Sequence, residues 1–249
     1  MRKLLILLTP LILFFMGCAP NGQFPVQNSS SAEVNESGMT SQWPGDEKID
    51  PHTLEAMDYK MIPLAWESKR YPERALWSLY LQFQIVTNWR SLLTGAEDMI
   101  SFCPKYDSLN DNQKANVWAQ LFVGVSKHES DWNPRKRYLE ETMGIDPVTQ
   151  AQVQSEGLLQ LSYQDAGWAK YCRFDWEADK DLAVTDRSRT IFNPYRNLNC
   201  GLGLMARQIK KKGRIIVGEG AYWSTIRSDG KFQHIAEIAD LVSKLPICK

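Results

Sequence analysis

Residues 112 to 130 read NQKANVWAQLFVGVSKHES, and this stretch decides the fold. Val117, Trp118, Leu121, Phe122 and Val125 recur at three- and four-residue steps, the period of a helix with one buried face. The spacing predicts a helix over about residues 112 to 128. Glu129 follows four residues after Val125 and eight after Leu121, so it extends the apolar stripe and leaves the solvated face to its neighbours. A carboxyl placed there is partly desolvated, and the negative end of the helix dipole lies beside it. Both effects disfavour its charge and raise its pKa. A carboxylic acid that keeps its proton near neutral pH is what a glycosidase uses to protonate a leaving oxygen.

Working outward, the same helical pattern returns. Pro72 suits a first helical turn, and the apolar stretch from Leu76 to Val86 predicts a buried helix behind it. Further helices are predicted over about residues 197 to 212 and 232 to 244. Loops rich in Asn, Asp, Gly and Pro separate them. No long alternating pattern occurs, and residues 135 to 155 leave room for one small β-hairpin. The predicted class is mainly α. Residues 51 to 105 are read as a helical extension packed on a domain of residues 106 to 249.

The N-terminus carries a different signal. Arg2 and Lys3 precede an apolar run from Leu4 to Met16, too short to span a bilayer comfortably. Gly17 and Cys18 follow at once. Residues 1 to 17 resemble a bacterial lipoprotein signal peptide, with Cys18 as the lipidated new N-terminus. Phe15 departs from the Leu usual at its place, and Ala19 fits sorting to the outer membrane. Residues 18 to 50 read as a polar, flexible tether. Cys103, Cys172, Cys200 and Cys248 remain, an even number that suits disulfides in an exported protein. Three pairings are open, and the spacings match no zinc pattern. Lys+Arg and Asp+Glu are both 29, so no net field steers the chain onto nucleic acid. Trp, Tyr and Phe number nine each, enough to build a core and line a groove where sugar rings stack.

Four segments carry a resemblance. Glu129-Ser130-Asp131-Trp132-Asn133-Pro134 is similar to the first motif of the soluble lytic transglycosylase family. Gly157-Leu158-Leu159-Gln160-Leu161 resembles its second, Gly-Leu-Met-Gln before an apolar residue. Asn193-Pro194 with Asn197-Leu198-Asn199-Cys200-Gly201 resembles the third, and Ala221-Tyr222 the fourth. The match spans about residues 110 to 230. It implies a lysozyme-like fold of the goose-type kind, with residues 106 to 249 as a catalytic domain whose helices surround a cleft, acting on peptidoglycan as a monomer without cofactor or metal; with the signal-like N-terminus this places it in the periplasm on a lipid anchor. Carried over by residue, Glu129 is the general acid/base and Tyr222 supports the developing charge. Gln160 bonds the sugar, Asn197 frames the cleft or its N-acetyl contacts, and Ser130 holds the Glu129 loop. Ser155 is the nearest match to a serine of the family's loop.

Two departures bear on mechanism. A stretch of 27 residues separates Glu129 from Gly157, where the family has a short loop, and Trp223-Ser224 follows Tyr222 in place of Asn-Ala-Gly. A lytic transglycosylase needs one acid. It protonates the oxygen linking N-acetylmuramic acid to N-acetylglucosamine and then deprotonates the muramic 6-hydroxyl, giving a 1,6-anhydro product. A lysozyme of the inverting kind needs a second carboxylate to activate water. The long loop supplies Glu140, Glu141, Asp146 and Glu156, and Glu156, beside the second motif, is the expected second carboxylate. The transglycosylase is the primary expectation. The lysozyme, with a preference set by the N-acetylation state of the sugar, is the alternative, and a non-catalytic glycan-binding lipoprotein the third reading.

Overall fold

The structure is a computed structural model, described for residues 60 to 249; the signal peptide, Cys18 and the tether lie outside these residues. Among the described residues, helix α1 spans Glu73–Thr87, α2 Asp111–Ser130, α3 Tyr163–Trp168, α4 Trp176–Asp179, α5 Pro194–Lys212 and α6 Ile235–Ser243. Short 3-10 turns fill several connections. Strands β1 (Arg137–Leu139) and β2 (Gln154–Glu156) pair antiparallel between α2 and α3, so the chain is mainly helical with one small hairpin. No described helix is long and apolar enough to cross a membrane.

The predicted central helix exists and is longer than its apolar stripe at both ends. Asn110 caps it, accepting from the Gln113 backbone N–H while the Gln113 side chain accepts from the Asn110 backbone. At its other end Ser130 is still helical, so Glu129 lies in the last turn. Asp131 (φ 54°) and Trp132 (φ 61°) then reverse the chain in two successive left-handed steps. Neither is glycine, so this turn holds strain directly after Glu129. It is tied down by Trp132 Nε1 donating to the Val123 carbonyl at 2.9 Å.

Helix α2 runs through the core: Val117, Trp118, Leu121, Phe122 and Val125 are fully buried. Against it pack α1 and α6, and α5 packs on α1. The segment before α1 is stitched to α2 as well, since the Ile62 and Ala65 backbone N–H groups donate to the Asn116 and Gln120 side chains. Residues 60 to 109 therefore share one apolar core with the rest. The first predicted helix forms with Pro72 as its cap residue, one place before the first turn. The predicted helix at 197 starts three residues earlier because Asn193 is its cap, accepting from the Tyr195 and Arg196 backbone N–H groups, with Pro194 in its first turn.

The four cysteines pair as Cys103–Cys248 and Cys172–Cys200. The first joins the segment before α2 to the C-terminus across 145 positions. A cross-link over so long a loop restricts the unfolded chain strongly. Removing it with Cys103→Ser/Cys248→Ser is expected to cost on the order of 3 kcal/mol and lower the melting temperature by roughly 6–12 °C. Calorimetry of both proteins without reductant measures this, and an unchanged midpoint would contradict it.

Candidate active site

A cleft of about 950 Å³ is walled by the end of α2, the hairpin, the second half of α5 and the loop from residue 220 to 234. Glu129 lines it, as do Tyr138, Glu140, Ser155, Gln160 and Tyr222. Burial pushes the Glu129 carboxyl up to about 7; the neighbouring Glu140 charge adds to this, and a hydrogen bond from the Thr225 hydroxyl, at 2.7 Å to Oε1, opposes it. Glu129 can therefore hold its proton near neutral pH, oriented by Thr225.

That proton has a consequence for stability. The folded Glu129 binds it more tightly than the unfolded chain, whose carboxyl has the ordinary value of 4.5. The associated stability is full below about 4.5 and is lost as pH rises through about 7. Glu129→Gln avoids that loss. Its melting temperature is expected to equal the wild type's near pH 4 and exceed it near pH 8, by about 2 kcal/mol or roughly 5 °C. Melting curves at the two pH values check this; a difference independent of pH would contradict the assignment.

A second carboxylate lines the cleft just past β1, and it is Glu140, not Glu156. Side chains alternate between the two faces of a strand. Tyr138 lies opposite Ser155 in the register, and both line the cleft; Glu140, two places beyond Tyr138, continues that face. Arg137 and Glu156 form the next pair and point away. Glu156 is buried at 1% exposure between Arg137 (2.6 Å) and Arg189 (2.7 Å), so it anchors the hairpin and is unavailable to a substrate. Ser155 Oγ donates to Glu140 Oε1 at 2.6 Å and so positions that carboxylate. Of the other loop acids, Asp146 is buried as a turn former, accepting from the Val148, Thr149 and Gln164 backbones, and Glu141 is exposed.

Other expected site residues sort into lining and scaffold. Gln160 lines the cleft in a left-handed conformation (φ 49°), with its Nε2 donating to the Lys136 and Gly157 carbonyls. Tyr222 lines it too, but its hydroxyl donates to Asp165 Oδ2 at 2.5 Å and not to Glu129. Burial, then the Asp165 charge, raise its pKa and keep the phenol protonated. Ser130 does not face substrate. It is buried and donates to the Ser126 and Leu158 carbonyls, fastening α2 to the Gly157–Leu161 turn. Asn197 is fully buried: its Oδ1 accepts from Leu159 N–H, and its Nδ2 donates to the Glu156 and Ile191 carbonyls. It therefore frames the cleft from behind and makes no sugar contact. Gly157 (φ 83°) is required beside it, since a Cβ would sit 2.2 Å from Asn197 Nδ2.

Thr225 was not anticipated, and it follows the departure at Trp223. That indole is buried, packs edge-on against Phe122 and donates to the Leu159 carbonyl at 2.9 Å. Fixing Trp223 under the cleft floor sets Thr225 two residues later against Glu129. His128 also lines the cleft, with its ring stacked on His234 at 4.0 Å. Tyr138, Trp168 and Phe232 are exposed aromatic faces around the same cleft, suited to sugar rings. Among the described residues no group of three His, Cys, Asp or Glu could hold a metal ion.

No family model and no curated protein matches the sequence. Among solved structures, the Bdellovibrio protein Bd0314 DslA, in a wild-type form, is similar at a TM-score of 0.61 and 28% identity, covering 77% of this chain and 100% of that one. Two variants of that protein, each with one glutamate replaced by glutamine, match at a TM-score of 0.60 and 27% identity. The replaced glutamates stand eleven positions apart in that chain, the spacing of Glu129 and Glu140 here.

Proposed function

We propose that this chain is a lysozyme-like glycosidase that cleaves the β-1,4 bond between N-acetylmuramic acid and N-acetylglucosamine in peptidoglycan strands. The observation that carries the reading is the pairing, in one cleft, of a desolvated Glu129 raised to about 7 with a second carboxylate, Glu140, held by Ser155. Glu129 donates its proton to the glycosidic oxygen as the bond to the anomeric carbon breaks. Glu140, lining the same cleft, accepts a proton from water as that water attacks the same carbon. The product is a new reducing end; Glu140 then releases the proton it took to solvent, and Glu129 takes one up. The matched glutamate spacing in the Bd0314 DslA variants supports treating the two residues as a pair.

A second reading is favoured by the four motif matches. In a lytic transglycosylase Glu129 alone protonates the leaving oxygen and then takes the proton of the muramic 6-hydroxyl, which closes the 1,6-anhydro ring. Digestion of purified peptidoglycan by wild type and by Glu129→Gln, with the soluble fragments weighed by mass spectrometry, tests both. Fragments from wild type and none from the variant are expected; no release by wild type would overturn the glycosidase reading.

The proposal includes export and lipidation at Cys18, giving an outer-membrane lipoprotein that faces the periplasm. The signal-like residues 1 to 18 support it, and so do two disulfides, which need an oxidising compartment. Mass spectrometry of the mature protein decides: a diacylated or triacylated Cys18 is expected, and an unmodified start elsewhere refutes it.

A further inference from the structure

Helix α5 is a ridge between two hollows. Leu204, Arg207, Gln208 and Lys211 face the cleft. Gly203, Ala206, Arg207 and Lys210 face a separate groove of about 920 Å³ on the other side. Each set follows the three- and four-residue steps of one helix face, and Arg207 belongs to both. Its guanidinium is stacked 4.3 Å over the ring of Trp168, itself an exposed cleft residue, so the crest between the hollows carries a fixed positive charge.

The groove has a built floor. Trp89 and Tyr171 meet edge to face at 5.2 Å, and Asn199 holds both, accepting from Trp89 Nε1 and donating to the Tyr171 carbonyl. Glycine at 203 is what lets them lie against the helix, because a Cβ would stand 2.3 Å from the Tyr171 ring. The rim carries both signs of charge, with Glu97 and Asp107 along one part and Arg207 and Lys210 along another, all exposed. A bare sugar strand carries at most its lactyl carboxylates, with no amine or aliphatic side chain to meet the Glu97 and Asp107 part of the rim or the apolar floor. A short peptide supplies them: aliphatic side chains on an apolar floor, carboxylates toward Arg207 and Lys210, and an amine toward Glu97 and Asp107.

We infer that this groove receives the peptide branch of a peptidoglycan strand whose glycan lies in the cleft, with the branch crossing the ridge at Arg207. This rests on the peptidoglycan reading above and adds a preference for peptide-bearing over bare strands. The peptide leaves the muramic sugar as a side branch, and Arg207 is the α5 side chain that lines both the cleft and the groove.

The test compares soluble glycan strands carrying their peptides with the same strands stripped by an amidase. For the wild-type chain the ratio of kcat/KM values is expected to favour peptide-bearing strands by about tenfold at low salt and to shrink at about 0.5 M salt. Ser91→Trp, which fills the groove without changing charge, and Arg207→Glu/Lys210→Glu are each expected to bring the ratio toward one, and Arg207→Lys to restore part of it. A wild-type ratio near one, or variants that keep the preference, overturns the inference. If wild type cleaves neither substrate, the catalytic reading fails by itself. The groove is then judged by calorimetric binding of the Glu129→Gln protein to the two strand forms: tighter binding of peptide-bearing strands upholds it, and equal dissociation constants overturn it.

Discussion

Glu129→Gln is expected to lower strand cleavage by about three orders of magnitude while leaving the fold and strand binding in place. Glutamine keeps the shape and still meets the Thr225 hydroxyl, which lies 2.7 Å from Oε1 in the native protein. What it loses is the proton that the glycosidic oxygen must receive as its bond breaks. Positioned general acids contribute on the order of 10²–10⁴ in rate, and an unassisted sugar alkoxide is a poor leaving group. On the proposed mechanism the native protein's rate is expected to fall about tenfold per pH unit above about 7, where Glu129 gives up its proton. Initial rates of soluble fragment release across a pH series measure both effects. A variant with more than a tenth of native activity, or a rate flat to pH 9, would remove Glu129 from the acid's role.

Glu140→Gln is the second large effect, and it separates the two chemistries. If water is the attacking group, removing the carboxylate that takes its proton is expected to cost about 10²-fold or more. If the muramic hydroxyl attacks, Glu140 is not required and the loss is small. The same substitution also removes the charge that helps raise Glu129, so the alkaline limb of the pH profile is expected to move to lower pH. Ser155→Ala, which removes the 2.6 Å donor to Glu140, is expected to act in the same direction but less strongly. A Glu140→Gln enzyme with native rates and an unmoved limb would take Glu140 out of the mechanism.

What the sequence allowed to be read follows from local physics. The apolar stripe of α2 fixed both the central helix and the inward placement of Glu129, because helical period and burial act within one element. The Asn193-Pro194 cap and the Gly157 turn were also local, although the starting point of α5 was set by Asn193 and not by Asn197. Ser130 holding the Glu129 loop and Asn197 framing the cleft follow from the motifs, but their partners do not: Ser130 bonds Ser126 in its own helix and Leu158 28 positions on, and Asn197 bonds Glu156, Leu159 and Ile191, which spacing alone does not reveal. The choice of Glu156 over Glu140 was an error of face. Its signal lay in the alternation of the hairpin, which puts Tyr138, Glu140 and Ser155 on one side, but that parity becomes readable only once the register is known. Thr225 could not be found at all from spacing, since it meets Glu129 across 96 positions by way of the buried Trp223.

The most direct test of the carboxylate pair is the product itself. Peptidoglycan digested by the wild-type protein in oxygen-18 water, with the new glycan ends weighed by mass spectrometry, reports which oxygen attacked the anomeric carbon. Reducing ends that carry one oxygen-18 atom from the solvent are the predicted result. Anhydro ends without solvent oxygen would contradict the role given to Glu140 and favour a mechanism run by Glu129 alone.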